Sequence, residues 1–321
     1  MNYSKLFFSF LAMGLVVSLT TGMTACSGDD DDITLTHERN WLVVEDNPND
    51  ELDHTRYEIF EQTGIPIYYN DTIGSESRTT LAGQPYTYYE VLQVFYNPGT
   101  ATPSPKTANY TLPGRRADVL PVVEYLRDKV LPSIPKGMYV PSVLLVDTLN
   151  SSSGTVAFKG LNTIVLSNVR RFASMTEDAR RLYRASFLRA VVASSLYTKE
   201  EQWLEDNFFS LTYAVNPTNA TFLYSTATTT YAVYRALSNY PQKEQTLANL
   251  GFIGTHTKPT ATTQERMKTV PTKSEDVSQY VEAVLAYPEA EFLSQHKGQK
   301  VVLAKYQVLR QKLMAYGFEL E

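Results

Sequence analysis

The segment MTEDARRLYRASFLRAVVASSLY, residues 175–197, predicts one long helix that enters a hydrophobic core. Thr176 is the predicted N-cap, because its hydroxyl can accept a hydrogen bond from the first turn of the helix. Glu177 and Asp178 follow in that turn, where negative charge interacts favourably with the helix dipole. The apolar content rises sharply after Ser186, as expected for a helix whose second half is buried.

Elements on either side of this helix predict the fold class. Before it lie a helix, a strand, a second helix and three further strands, predicted at 52–63, 65–69, 117–130, 143–146, 155–158 and 163–166. Gly64 is the expected C-cap of the first helix, and Pro66 favours either an edge position for the first strand or a place among its first residues. Further helices are predicted after it, at 231–237, 274–286 and 301–316. Strands early and helices late predict an α+β domain and not an alternating parallel sheet.

The N-terminal residues 1–25 have the pattern of a lipoprotein signal peptide. Lys5 precedes the apolar run Leu6–Val17, which is too short for a permanent membrane span. Small residues then lead to Cys26, the only cysteine of the chain, and this arrangement is typical of cleavage before an acylated cysteine. We therefore expect a mature chain anchored in a membrane through Cys26; the alternative is an ordinary secretory signal with an incidental cysteine.

Residues 26–36 are predicted to be an unfolded acidic tether. The tract after the cysteine has nothing to bury and its charges repel one another; it consists of Ser27, Gly28, Asp29, Asp30, Asp31 and Asp32. It resembles the acidic export tag of surface-exposed lipoproteins in some diderm bacteria, and a plain spacer is the alternative. The resemblance implies the outer membrane and the cell surface. The folded domain is predicted to span 37–321, with an irregular, proline-rich connection near 97–117.

Composition and charge narrow the classes of partner. The 321 residues are 43% hydrophobic, which suffices for a large core, and the net charge is −5. A mildly acidic chain without a basic cluster is not expected to bind nucleic acid. A single cysteine allows neither an intramolecular disulfide nor a CxxC metal or redox site.

The positions of the histidines argue against a metal site, and the absence of nucleotide-binding signatures argues against a cofactor. They are His37, His54, His256 and His296, and no two lie one helical turn apart. His37 and Glu38 begin like an HExxH zinc motif, but Trp41 stands in the fifth position. Signatures of serine hydrolases, P-loops and dinucleotide-binding folds are also absent from the sequence. We expect neither metal nor cofactor.

Two other features leave alternatives open. Neighbouring acids could act as acid and base, although adjacent surface acids are common; the pairs are Glu200–Glu201, Glu275–Asp276 and Glu289–Glu291. Tyr86, Tyr88 and Tyr89 could form an aromatic platform for a glycan or peptide ligand, or they could be half-buried strand residues.

The order of segments resembles one family of lipoproteins. The turn-rich 154–161, the strand 162–169 and the helix 176–197 are similar to those of the substrate-import-associated zinc metallohydrolase lipoproteins. In that family the helix carries HExxH, whose histidines bind zinc while the glutamate activates water. The resemblance covers most of 37–321 in segment order and implies a zincin-like, metallopeptidase-like fold.

The metal motif of that family is missing here. The best register places it on residues 189–193, where Arg189, Ala190 and Ala193 stand in place of the two histidines and the glutamate, and residues 55–255 contain no histidine at all. The acidic helix of the family corresponds to 275–280, with Gln279 in place of its second glutamate. Neither a guanidinium nor a methyl group can replace an imidazole ligand. The resemblance thus implies a degenerate member of the family without catalysis.

The sequence therefore predicts a zincin-like α+β domain on a lipid tether that is not an enzyme. From the family context we expect an accessory or binding component of an outer-membrane nutrient-import system, working beside a transporter complex. Two alternatives stay open, namely an active hydrolase that uses carboxylates and a structural or interaction lipoprotein.

Overall fold

The structure, a computed structural model, describes residues 39–92, 94, 110–149, 156–215, 224, 247–254 and 271–321. The described residues from Trp41 onward belong to one structural unit. Several predictions lie outside the described residues: the signal peptide, Cys26 with its acidic tract, His37, His256, the helix 231–237 and most of the connection near 97–117.

A four-stranded sheet lies at the centre of the fold. The strands, in chain order, are β1 (Ile67–Tyr68), β2 (Thr72–Thr79), β3 (Pro85–Val91), β4 (Tyr110–Thr111), β5 (Val143–Leu145), β6 (Thr148–Leu149), β7 (Ala157–Lys159) and β8 (Ile164–Leu166). The central sheet has the order β1-β5-β8-β7; β1, β5 and β8 are parallel and β7 is antiparallel. The edge position expected for the strand after Pro66 is confirmed, as are the strands predicted near 143 and 163.

Both faces of this sheet are covered. Val143 and Leu145 belong to the main core, whereas the alternate residue Leu144 belongs to a second, smaller cluster with Tyr68 and Val165. Successive side chains of a strand point to opposite faces, so β5 consists of apolar residues throughout. Beside it, β2 and β3 form an antiparallel hairpin, and β4 pairs with β6.

Helices dominate the C-terminal half, and the predicted α+β class is confirmed. The α-helices are α1 (Glu51–Thr63), α2 (Leu120–Tyr125), α3 (Val169–Phe172), α4 (Glu177–Lys199), α5 (Glu201–Leu204), α6 (Ser210–Val215), α7 (Lys273–Ala286), α8 (Glu289–Gln295) and α9 (Lys300–Ala315). The first helix ends at Gly64, whose φ of +70° is left-handed, as its predicted role as a C-cap requires.

The long helix α4 packs against α7 and against the edge strand β7. The Thr176 hydroxyl accepts a hydrogen bond from the backbone N–H of Ala179 at 3.3 Å, so the predicted N-cap is confirmed. At the start of α7, Thr272 and Glu275 form a reciprocal capping box. These two caps fix where each helix begins.

The prediction of one continuous α-helix over 117–130 is wrong, because the segment is divided into three kinds of helical turn. A 3₁₀ turn covers Arg116–Asp118, the α-helix occupies 120–125, and a π turn follows over Leu126–Val130. Pro132, in the next 3₁₀ turn, lacks an N–H and its ring would clash with a carbonyl four residues earlier. α-Helical hydrogen bonding therefore does not continue to 130, and the chain widens into a π turn instead.

Candidate functional site

Arg189, the first residue of the stretch 189–193 compared above with a metal motif, forms an ion pair between α4 and α7. Nε of Arg189 lies 2.6 Å from Oε2 of Glu282, and Nη2 of Arg189 donates to the carbonyl of Ala157 at 2.8 Å. The hydroxyl of Ser186 donates to the other carboxylate oxygen of Glu282 at 2.9 Å. Only 12% of the Arg189 side chain is exposed. One guanidinium therefore ties together α4, α7 and β7.

This arrangement offers few donor atoms to a metal ion. A guanidinium carries only hydrogen-bond donors and has no lone pair for coordination. Ala190 and Ala193 are buried in the main core, and their methyl groups offer no donor atom. The amide oxygen of Gln279 is buried beside Gly254, where an added Cβ would lie 2.6 Å from it.

The two described histidines are separate from this ion pair. Nδ1 of His54 lies 2.7 Å from a carboxylate oxygen of Asp46, and this hydrogen bond raises the pKa of His54 above 6.5. The His296 ring packs 4.3 Å from the ring of Phe292 and bonds to Gln299. Within the described ranges, no group of three or more His, Cys, Asp or Glu residues is placed to hold a metal ion.

Most of the neighbouring acids singled out in the sequence have structural partners. Glu275 belongs to the capping box of α7. Three others form ion pairs with cations of other helices, namely Glu200 with Lys312, Glu289 with Arg310 and Glu291 with Arg181. Asp276 is wholly buried, so its interpretation as a surface acid is wrong. It shares its face of α7 with Tyr280, and this face packs into the core.

Asp276 pairs with Lys305 of α9 in the hydrophobic interior. Nζ of Lys305 lies 2.5 Å from Oδ2 of Asp276, and both side chains are 0% exposed. The same carboxylate oxygen accepts a hydrogen bond from the hydroxyl of Tyr224 at 2.5 Å, and Lys305 also donates to the carbonyl of Gly251 at 3.0 Å. Burial raises the pKa of Asp276 and lowers that of Lys305, and the ion pair opposes both shifts.

The tyrosine cluster lies on the β2–β3 hairpin. The Arg78 guanidinium stacks 3.5 Å above the Tyr88 ring, while Tyr86 and Tyr89 are 44% and 60% exposed. Tyr86 and Tyr88 are two residues apart and point to the same face of the hairpin, whereas Tyr89 points to the opposite face. The cluster is therefore not a single aromatic platform.

A cleft of about 980 Å³, which sequence reasoning missed, lies between α4, the turns after α2 and the C-terminal segment. One wall is a stripe of α4 that includes Arg181, Arg184 and Leu188. The segment 132–136, which includes Ser133, forms the opposite wall, and the segment 317–321 forms the third wall. Nε and Nη2 of Arg184 donate to the Ser133 hydroxyl at 3.2 and 2.9 Å. Residues 177, 181, 184 and 188 follow one another at intervals of three or four and so share one face of the helix, but nothing in the sequence indicates which segments lie opposite this face.

Comparison with protein-family models, with curated proteins and with solved structures gives no match to this chain. Among the described helices, none combines the length and apolar character that crossing a membrane requires.

Proposed function

We propose that this protein is a surface-exposed lipoprotein whose zincin-like domain has lost catalysis and serves as an accessory or binding component of an outer-membrane nutrient-import system. The anchor is Cys26 and the export tag is the acidic tract 27–32. A transporter complex in the same membrane is the proposed partner, and a glycan or a peptide is the proposed class of ligand.

The Arg189–Glu282 ion pair is the observation that carries this proposal. In the family that the sequence resembles, the corresponding turn of helix presents two imidazoles to zinc. Here the same turn presents a cation, whose charge would repel a metal ion, and that cation is already held by a carboxylate at 2.6 Å. The ion pair gives α4 and α7 a fixed contact in the absence of a metal, so the scaffold can persist without the chemistry.

Lipid attachment is tested by metabolic labelling with a palmitate analogue. The full chain should incorporate the label and fractionate with the outer membrane, whereas Cys26→Ser should do neither. Replacement of the four aspartates 29–32 by serine should leave labelling intact but abolish digestion by protease added to whole cells. A Cys26→Ser protein that still carries the label would refute the anchor.

The accessory role is tested by affinity purification of the lipidated protein from detergent-solubilised outer membranes. The proposal predicts recovery of a transporter in stoichiometric amount and no hydrolysis of peptide or glycan substrates by the complex. Hydrolysis that disappears on substitution of one acid, such as Glu201→Gln, would instead establish the carboxylate hydrolase.

A further inference from the structure

We propose that the cleft beside α4 binds short peptides with free termini, and that Arg184 is the anchor for the peptide carboxylate. This inference rests on the proposed binding function and gives it a ligand class. Its anchor, Arg184, lies five residues before Arg189 on α4, and Arg189 does not line the cleft.

The guanidinium of Arg184 is positioned but not neutralised. Ser133 accepts from its Nε and Nη2 edge, and the Ser133 hydroxyl in turn donates to the carbonyl of Lys129 at 2.9 Å. No carboxylate of the described chain forms an ion pair with Arg184, in contrast to Arg181, which Glu291 holds through two hydrogen bonds. The edge formed by Nη1 and Nη2 is thus left for a ligand, and its two parallel donors match a carboxylate.

The cleft also presents acids that no described cation neutralises. Glu177, Glu319 and Glu321 line it and form no ion pair within the described residues. Lys129 and Lys136 also line the cleft without an ion pair in the described part of the chain, so a simple anion would gain from these lysines and from Arg184 but would be repelled by the three carboxylates. A ligand with an ammonium group at one end and a carboxylate at the other can pair with the glutamates and with Arg184 at the same time. A peptide with free termini has this charge pattern.

The size and the remaining walls agree with this ligand. A volume of about 980 Å³ is at the upper end of the range for small-molecule sites and accommodates a chain of several residues. Ile134, Pro135 and Leu320 give the cleft partly exposed apolar surface for the side chains of the peptide.

The test measures binding of trialanine and trileucine to the full lipidated protein in detergent, by isothermal titration calorimetry. Each peptide is compared with its C-terminal amide, which lacks the carboxylate, and with its N-acetyl form, which lacks the ammonium group. The free peptides should bind most tightly. Arg184→Gln should weaken the free peptides by at least about tenfold, as expected for loss of a charge-assisted pair of hydrogen bonds, and should leave the amides almost unchanged.

Arg184→Lys keeps the positive charge but loses the paired, planar donors of the guanidinium, so the affinity of this variant for the free peptides should fall between those of the parent and Arg184→Gln. Arg171→Gln removes an equal charge from an exposed position outside the cleft and should have no effect, which controls for net charge. Circular dichroism confirms that each variant is folded. Equal affinity for acid and amide, an unchanged Arg184→Gln variant, or no binding of either free peptide would overturn the inference. Lipidation at Cys26 and recovery of the transporter are measured separately, so they would still support the proposed function if peptides failed to bind.

Discussion

Replacement of Lys305 by methionine should destabilise the domain severely, because it leaves the Asp276 carboxylate buried without its partner. Both side chains are 0% exposed in the parent, and their charged atoms lie 2.5 Å apart. Removal of one member of such a pair costs about 3–5 kcal/mol, a large part of the roughly 5–15 kcal/mol that holds a domain folded. At about 2–4 °C per kcal/mol, the midpoint of thermal unfolding should fall by about 6–20 °C.

The double variant Lys305→Met with Asp276→Asn separates charge from packing. The asparagine oxygen can still accept the hydrogen bond from Tyr224, and no uncompensated charge is left. We expect the double variant to recover at least half of the free energy of unfolding lost by Lys305→Met, as measured by urea denaturation followed by circular dichroism. Lys297→Met, at an exposed lysine, is the matched control and should lie within about 0.5 kcal/mol of the parent.

The pH dependence of the single variant gives a second measure of the same effect. Burial already raises the pKa of Asp276 above 3.8, and loss of Lys305 removes the interaction that opposes this shift. A carboxyl whose folded pKa lies above its unfolded value contributes stability that is present at low pH and is lost as the pH rises through the folded pKa. Lys305→Met should therefore lose stability, relative to the parent, as the pH rises from about 4 towards neutrality. A single variant within about 1 kcal/mol of the parent, or one no less stable than the double variant, would refute this account of the pair.

Three further substitutions test other parts of the structure. Thr272→Ala removes the side-chain cap of α7 and should lower the free energy of unfolding by about 1 kcal/mol, measured in urea. Gly251→Ala should be strongly destabilising in the same assay, because Gly251 has a φ of +86° and an added Cβ would lie 2.5 Å from a methyl carbon of Val301. The hydrogen bond from His54 to Asp46 raises the pKa of His54, so an NMR titration of the His54 ring should give a pKa above 6.5 that returns towards 6.5 in Asp46→Asn. The stabilisation from this contact is present below pH 6.5 and is lost as the pH rises through the pKa of the folded state.

The regular elements could be predicted because their signals are local. Thr176 before two acids marks the start of α4, and Gly64 marks the end of α1, since a cap depends only on neighbouring backbone groups. The short apolar strands β5 and β8 were recognisable between turn residues. The π turn before Pro132 was not predicted, because the proline lies outside the apolar pattern that suggested one continuous helix.

The contacts between elements could not be predicted in the same way. The partner of Arg189 is Glu282, which lies 93 positions later in the chain and has no local feature that marks it. The buried pair did leave a signal. Lys305 lies between Val302 and Tyr306 on the apolar stripe of α9. A lysine at such a core position is rarely buried without a partner of opposite charge, so it predicts a buried acid nearby. Periodicity identifies such a position, but the identity of its partner depends on how the helices pack.

The metal content of the purified, full-length lipoprotein tests the central claim most directly. The protein is equilibrated with zinc, freed of unbound metal and analysed by inductively coupled plasma mass spectrometry. Because Arg189 and Ala193 stand where the family that the sequence resembles has its two histidine ligands, we predict far less than one zinc ion per chain, both in the parent and in Arg189→Gln. Tightly bound zinc equimolar with the protein would contradict the proposal that this domain has an ion pair, and no metal site, at Arg189.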